Sequence, residues 1–474
     1  MQTSILMRLA LRSTTLLAVI FTSCTRPNPE FCDENTDCNN GEICSLDINR
    51  CIAAPPDTTC VDDADCPVER PVCGDDAACR SCLADDECGS EVCRSDGTCE
   101  AADRILYVRP NGLTSGTCTA ADRCDLTYAR SLVSAERQTI RLADGTYTLS
   151  QQFRVDGGAS LTVVGSRAAS LQFTGVGPAV GILGVGTKAH LRGFTIHQGA
   201  TCSNATFELV RMAFNNPGGD VRSWIAASGC TLVVTDSTLS DSLEHGISQN
   251  GGDATVTGTT IERSAGNGVD LSSGTAVVKT STITRNGRVG ITGDTGRVVV
   301  HRSIVSANRL GGIRSTNGSF EIVNNFVFRN GDPGQSTFGG MHLDSNSSSS
   351  RVMHNTVMYN DCDVNVSPPL SGGLYCRIGA SGTAYGNLIA QNYRGNTSLQ
   401  NAQTGGSCDF TYSLIAENPL APVNFGCVLG SDMCRLAGGG AAIDAGMQLG
   451  VTEDFDGQPR SDGKPDIGAD EYHP

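Results

Sequence analysis

Leu239, Ile261, Ile283, Val305 and Val327 stand at a strict spacing of 22 residues, and three places after each comes Ser242, Ser264, Asn286, Asn308 or Asn330. In four of these registers a glycine and then an aliphatic follow seven and eight places on, as Gly246-Ile247, Gly268-Val269, Gly290-Ile291 and Gly312-Ile313. A unit this short cannot bury a core alone and must stack on its neighbours. The chain is therefore expected to be a solenoid, with one long ladder-like surface in place of a deep pocket.

Five places before each register residue sits a second apolar residue, Val234, Val256, Val278, Val300 or Ile322, continuing as Val352, Ala384 and Phe410 in longer coils registered on Val357, Ile389 and Ile415. A small polar residue lies two places before the register, in Ser237, Thr259, Ser281, Ser303, Asn325, Asn355, Asn387 and Ser413. Leucine-rich repeats share this period, but they need a leucine-rich strand and commonly a helical return limb. Here the return limbs are Gly, Ser, Thr, Asp and Val, which are poor helix formers without an apolar period of 3.6. A contour of roughly 70 Å, from 22 residues at about 3.3 Å each, accommodates three short strands and three bends. The fold class expected is all-β: a right-handed single-stranded parallel β-helix preceded by small disulfide-rich modules. Because ordering one rung costs more than its few inward aliphatics return, stability is collective and both ends need caps.

Ile105–Gly112 reads as a strand and turn, Leu126–Ser134 as a short amphipathic helix, and Thr139–Tyr147 as the first rung strand and its bend. This resembles the opening segment of the pectin-lyase-like right-handed β-helix proteins, and residues 104–435 resemble their repeats. Downstream, Ala442-Ile-Asp-Ala-Gly446, Asp454-Phe-Asp-Gly-Gln-Pro-Arg460 and Pro465-Asp-Ile-Gly-Ala-Asp-Glu-Tyr472 make residues 436–474 similar to the closing segment of bacterial β-helix proteins of the choice-of-anchor Q type. That resemblance implies a cell-surface setting and carries no chemistry.

Arg8 and Arg12 precede an apolar run, Leu16 to Phe21, that ends in Phe21-Thr-Ser-Cys24. This reads as a bacterial lipoprotein signal, residues 1–23, with Cys24 the lipidated residue and 24–31 a linker. An exported chain anchored by lipid to the outer membrane or cell surface is expected, and the run is too short to span a bilayer. Export agrees with the cysteines, twelve of which form three four-cysteine modules between residues 32 and 103: Cys32, Cys38, Cys44, Cys51; Cys60, Cys66, Cys73, Cys79; and Cys82, Cys88, Cys93, Cys99. Modules of this size cannot bury a core, so disulfides must hold them; without histidines among them, zinc is a poor rival. In the β-helix, local pairs Cys118–Cys124, Cys202–Cys230 and Cys362–Cys376 are expected, leaving Cys408, Cys427 and Cys434 unable all to pair among themselves.

Residues 25–103 hold twenty acids against five arginines, so nearly all of the net charge of −16 lies in this stalk. A chain without a basic stripe is unsuited to nucleic acid. No cofactor or metal is expected; acids such as Asp62, Asp63 and Asp65 lack ordered ligand spacing and allow no more than weak calcium binding. A monomer is expected.

Polygalacturonase-type chemistry needs paired carboxylates on neighbouring rungs. On the rungs only Asn330-Gly-Asp332 matches such a motif, and Asn330 is already a ladder residue. A calcium-dependent lyase needs clustered carboxylates beside a base, and the carboxylates Asp236, Asp241, Glu244, Asp253, Glu262, Asp270, Asp294 and Glu321 fall at differing offsets. The best catalytic candidates are Asp241, Glu244 and His245 with Arg263 one rung beyond. Candidates for ligand binding are Arg263, Arg285 and Arg329, which share one offset and could track an acidic polymer. Successive registers Val327, Val357, Ile389 and Ile415 lie 30, 32 and 26 residues apart, and these excursions carry Phe338, His342, Tyr359, Tyr375 and Tyr393, aromatics suited to sugar rings. The expected function is a noncatalytic surface lipoprotein presenting a β-helix to extracellular polysaccharide or cell-envelope glycan. The alternative is a divergent polysaccharide lyase or glycoside hydrolase built on the four catalytic candidates.

Overall fold

A computed structural model of the chain describes residues 60–215, 222–363, 370–379, 383–395, 402–416, 440–460 and 463–472, with residue 365 and four short strands, Glu42–Ser45, Arg50–Ala53, Phe425–Gly426 and Arg435–Leu436. The signal segment, Cys24, the linker, Cys32, Cys38, Cys427 and Cys434 lie outside the described residues, as do the side chains of Cys44 and Cys51. The chain forms two compact units, Met1–Gly89 with Cys93–Cys99, and Ser90–Val92 with Glu100–Pro474.

In the first unit one small design recurs. Disulfides join first to third and second to fourth cysteine, as Cys60–Cys73 with Cys66–Cys79 and Cys82–Cys93 with Cys88–Cys99. The third and fourth cysteines face each other across antiparallel pairs, Cys73 with Cys79, Cys93 with Cys99, and, in the first module, Cys44 with Cys51. The acids between the first two cysteines are part of this framework. Asp63 Oδ1 accepts the Cys73 N–H at 2.7 Å and Asp85 Oδ1 the Cys93 N–H at 2.9 Å. Asp65 takes the N–H groups of Val61 and Asp62, and Glu87 those of Leu83 and Ala84. Hydrogen bonds from Arg80 and the Leu83 N–H push the Glu87 carboxyl down to about 2. In a module too small for an apolar core, carboxylates that hold backbone donors substitute for burial.

The second unit is a parallel β-helix. It opens with strand Ile105–Leu113 and helix Leu126–Ser131, whose N-cap Asp125 accepts from the N–H groups of Thr127 and Tyr128. A twelve-stranded sheet of short strands then forms one wall of the coil, and a twenty-stranded sheet folded round a corner forms the rest. The predicted register holds through the stack: Leu239, Ile261, Ile283, Val305, Val327, Val357, Ile389 and Ile415 are successive partners in the short-strand sheet. Val234 to Ala384 form the matching inward column on the next wall. All but the partly buried Ile415 are buried, and with their neighbours they make one continuous core. Coils 4 to 10 residues longer than 22 keep the same strand pairing.

Two polar ladders flank the short strands. The Asn286 N–H donates to Asn308 Oδ1 at 3.1 Å, that of Asn308 to Asn330 Oδ1 at 3.1 Å, that of Asn330 to Asn360 Oδ1 at 3.0 Å and that of Asn360 to Asn392 Oδ1 at 3.1 Å. Each Nδ2 also donates to the next Oδ1 and to a carbonyl one rung back, as Asn330 does to Asn360 and Val305. The ladder ends on Gln403, whose Oε1 accepts the Asn392 N–H at 3.1 Å. The second ladder runs from Ser237 through Asn325, Asn355 and Asn387 to Ser413. Each bond satisfies a bend N–H that no strand reaches, and leaving such a group unpaired costs about 1–3 kcal/mol. The glycine of the repeat has an equally local cause: a Cβ on Gly268 would stand 2.5 Å from Ile283 Cγ2 and 2.6 Å from Gly290 O.

The described C-terminal residues, 440–460 and 463–472, do not extend the stack. They run back along the outer face of the short-strand sheet. The outward column of that sheet reads Thr238, Thr260, Thr282, then Ile304, Phe326, Thr356, Leu388 and Leu414, turning largely apolar where the tail covers it. The Phe455 ring meets Phe326 edge-on at 4.8 Å, and Ala442 and Ile467 pack with Leu388. The Arg460 side chain, 0% exposed, anchors the segment through Glu471 Oε2 at 2.5 Å, the carbonyls of Gly468 and Ala469, and Asn324 Oδ1.

Disulfides follow the stacking of rungs. Cys118–Cys124 and Cys202–Cys230 form, but the expected Cys362–Cys376 pair does not; Cys376 bonds Cys408. Cys376 lies opposite Gly406 on the next rung, which brings Cys408 to it, whereas Cys362 is a buried free thiol 3.3 Å from Leu370 O. Burial, with help from Asp361, pushes this thiol up to about 11, so no thiolate is present to react. Native protein is expected to leave Cys362 unlabelled by an aromatic disulfide reagent at neutral pH, and denatured, unreduced protein to label it, as mapped on the Cys362 peptide. Rapid native labelling at that peptide would contradict this placement.

Candidate functional site

The bend after each short strand sets the positions of most sequence-derived candidates. Asp241, Arg263, Arg285, Ala307, Arg329, Tyr359 and Gln391 form one column directly before the first ladder, and all have left-handed backbones with φ between 52° and 66°. That conformation costs an ordinary residue about 1–2 kcal/mol, which the ladder bond at the next position offsets. Arg263, Arg285, Arg329 and Tyr359 are thus brought into line one rung apart, except that Ala307 interrupts the arginines.

Local ion pairs occupy much of this column. Arg263 grips Asp241 with both ends of its fork, Nε–Oδ1 at 2.7 Å and Nη2–Oδ2 at 2.9 Å, and its Nη1 lies 2.6 Å from Glu262. Arg285 lies 3.9 Å from the same Glu262, while Arg329 has no ion pair among the described residues. The hydrogen bond to Asp241 raises the Arg263 guanidinium above its already high value. A lyase base must be brought the other way, towards neutrality.

Glu244 and His245 follow the ladder residue Ser242, whereas Asp241 precedes it. His245 Nδ1 accepts the Asn267 N–H at 3.0 Å, and its Nε2 is 3.9 Å from Glu244 Oε1. Among the described residues no hydrogen bond or ion pair links this couple to Asp241 and Arg263. The four residues form two separate pairs with structural partners. Asn330 and Asp332 likewise separate: Asn330 is locked in the ladder, and Asp332 accepts from Gly334 N and Arg309.

The excursions give a more open arrangement on the outward face of strands Gly311–Thr316, Met341–Ser345 and Leu374–Ile378, where Arg314, His342 and Tyr375 are successive cross-strand partners. The rings of His342 and Tyr375 meet edge-on, 5.1 Å between centroids, and Phe338 backs His342 at 5.7 Å. Phe338 itself is 2% exposed and fills the space above Gly311, so it supports the platform and cannot stack on a ligand. Beyond Tyr375 the next rung presents Gly405, and the Tyr375 ring leans over it so closely that a Cβ there would stand 3.1 Å from ring Cδ2. Arg377 pairs with Asp344 at 2.8 and 2.5 Å, and Arg314 stands 3.5 Å from Asp294. Burial, then Arg314, pushes His342 down to about 4, with Asp344 opposing, so the ring is neutral at physiological pH. An aromatic edge flanked by arginine–carboxylate pairs can bind hydroxylated rings through stacking and planar hydrogen bonds. Among the described residues it holds no nucleophile with an activating base. Tyr359 is separate from it, half-buried in the bend column.

One further cluster escaped the sequence reading. Glu321 meets Arg297, Arg351 and His301 on the adjoining wall, at 2.7, 2.6 and 3.1 Å. Strand partners such as Glu321 and Arg351 are predictable only after the excursion between them is discounted.

A family model described as the right handed beta helix region matches residues 198–357, the most regular rungs. No curated protein matches the chain. Among solved structures, pectate lyase Pel9A is similar at 16% identity and a TM-score of 0.41, covering 79% of this chain and 97% of that one. The Dettilon tailspike protein is similar at 14% and 0.33, covering 64% and 68%, and the periplasmic alginate epimerase AlgG at 12% and 0.22, covering 59% and 75%. These likenesses do not bear on activity.

Proposed function

We propose that the chain is a noncatalytic lipoprotein, held at the cell surface through Cys24, whose β-helix binds extracellular polysaccharide or cell-envelope glycan. The observation that carries the binding reading is the Arg314–His342–Tyr375 row, an aromatic and cationic edge on a rigid sheet face. Support for the noncatalytic part comes from Asp241, Glu244, His245 and Arg263: each already has a partner, and Arg263 is shifted away from a base. The lyase or hydrolase alternative has no observation in its favour. Support for export comes from the signal-like segment and the disulfide modules.

Tyr375→Ala should weaken retention on the bound polysaccharide in affinity electrophoresis by about tenfold, since one aromatic contact is worth about 1–3 kcal/mol on stacking ligands. Arg329→Ala, in the bend column, should change it by less than about twofold, as expected of an isolated surface charge. The reverse ranking would move the binding surface to the bend. No retention on any glycan of a broad array would end the reading.

A further inference from the structure

The C-terminal segment does not lie flat over its whole course. Where Gly450–Glu453 cross the rungs of His301 and Glu321, a cleft of about 230 Å³ opens, walled on one side by the tail and on the other by His301, Arg302, Glu321 and Arg351. Glu321 is 15% exposed and lines it. Burial raises its carboxyl, but Arg351, His301 and Arg297 together outweigh this and leave it below the ordinary value, so it is ionised.

The donors around the cleft are unequally committed. Arg302 is engaged through Nε to Phe455 O at 3.0 Å and through Nη1 to Glu453 at 3.1 Å. Arg351, by contrast, has one bond, of 2.6 Å from Nη2 to Glu321, and its side chain is 45% exposed with no other hydrogen bond among the described residues. His301 Nε2 is enclosed, 3.1 Å from Glu321 but out of hydrogen-bonding alignment. Two arginines, Arg302 and Arg351, face two glutamates, Glu321 and Glu453, across the cleft, and since Arg302 is committed to the tail, the cation left open to a ligand is Arg351. The complement of the cleft is a small molecule with one carboxylate for the open side of Arg351 and hydroxyl donors for the lone pairs of Glu321 and Glu453.

We propose that this cleft is a binding site for a single small hydroxylated carboxylate, the size of one sugar acid, separate from the Tyr375 face. Because one wall is the tail, an occupied site also holds that segment against the rungs.

The test is calorimetric titration of the full chain with gluconate, glucose and acetate, which separate the carboxylate from the hydroxyls. Gluconate should bind saturably with a dissociation constant near or below about 1 mM, and neither glucose nor acetate should match it within about tenfold. Arg351→Gln should weaken gluconate at least about tenfold, as expected for a lost charge-assisted bond. Thr452→Trp, at an exposed tail position, should abolish binding by filling the cleft, which keeps the result interpretable if Arg351→Gln disturbs folding. Absence of saturable gluconate binding, equal binding of acetate, or gluconate binding indifferent to both variants would overturn the proposal. Polymer retention through Tyr375 is read separately and stands or falls by itself.

Discussion

Arg460→Ala is expected to free the C-terminal segment while the coil stays wound. The guanidinium is fully enclosed and bonds Glu471, the Asp466, Gly468 and Ala469 carbonyls and Asn324 Oδ1. Its loss leaves the Glu471 carboxylate, 7% exposed, without its cation. Breaking such a buried pair costs about 3–5 kcal/mol, enough to undo the docking of a segment whose apolar contacts centre on Phe455, Ala442 and Ile467. Limited proteolysis should then cut within residues 440–472 while the β circular dichroism band persists. Lysine should not rescue, because an ammonium cannot reach carbonyls and carboxylate in one plane. An Arg460→Ala protein whose tail resists protease as the parent does would show that the docking rests elsewhere.

Acid should loosen the same region well before the carboxylates titrate. His354 is buried beneath the tail, against Gly386, and among the described residues neither ring nitrogen meets a partner in good hydrogen-bond geometry. Burial, then the nearby Arg460, pushes it down to about 3, with the Asp466 backbone opposing. The unfolded chain takes up this proton near pH 6.5 and the folded one does not until about 3. Stability is therefore fully present above 6.5 and falls as pH drops through that window, by up to about 4–5 kcal/mol at 1.36 kcal/mol per unit. His342, pushed down to about 4, adds loss in the same direction between 6.5 and 4. Asp466 works the other way, since burial raises its carboxyl and folding then favours its proton. Denaturant midpoints measured from pH 7 to 4 should fall steadily, and His354→Asn, which suits the left-handed backbone there, should flatten the slope. A parent profile flat down to pH 5 would contradict the burial of this histidine.

The rungs were legible because a period of 22 and β-branched residues at fixed offsets specify which side chains face inward. Nothing more is needed for Leu239 to stack on Ile261 or for Asn308 to bond Asn330. Outward relations obey no such period. Arg302 meets Phe455 across 153 residues and Thr356 meets Ala469 across 113. A signal was nevertheless present in the outward column, where Thr238, Thr260 and Thr282 give way to Ile304, Phe326 and Leu388, a stripe that needs a cover. The catalytic candidates lie in separate pairs for a local reason: Asp241 and Glu244 are close in sequence, but the bend at Ser242 comes between them. Cys362 was paired with Cys376 on proximity along the chain, whereas stacking set Cys376 beside the rung that delivers Cys408.

Whether the face bearing Arg314, His342 and Tyr375 holds glycan without altering it is tested most directly by incubating the full chain with each polysaccharide it retains and analysing the polymer afterwards. Retained polymer is expected to keep its length, with no new reducing ends and no unsaturated uronate absorbance. Time-dependent appearance of either product, abolished by Asp241→Asn or His245→Ala, would contradict this.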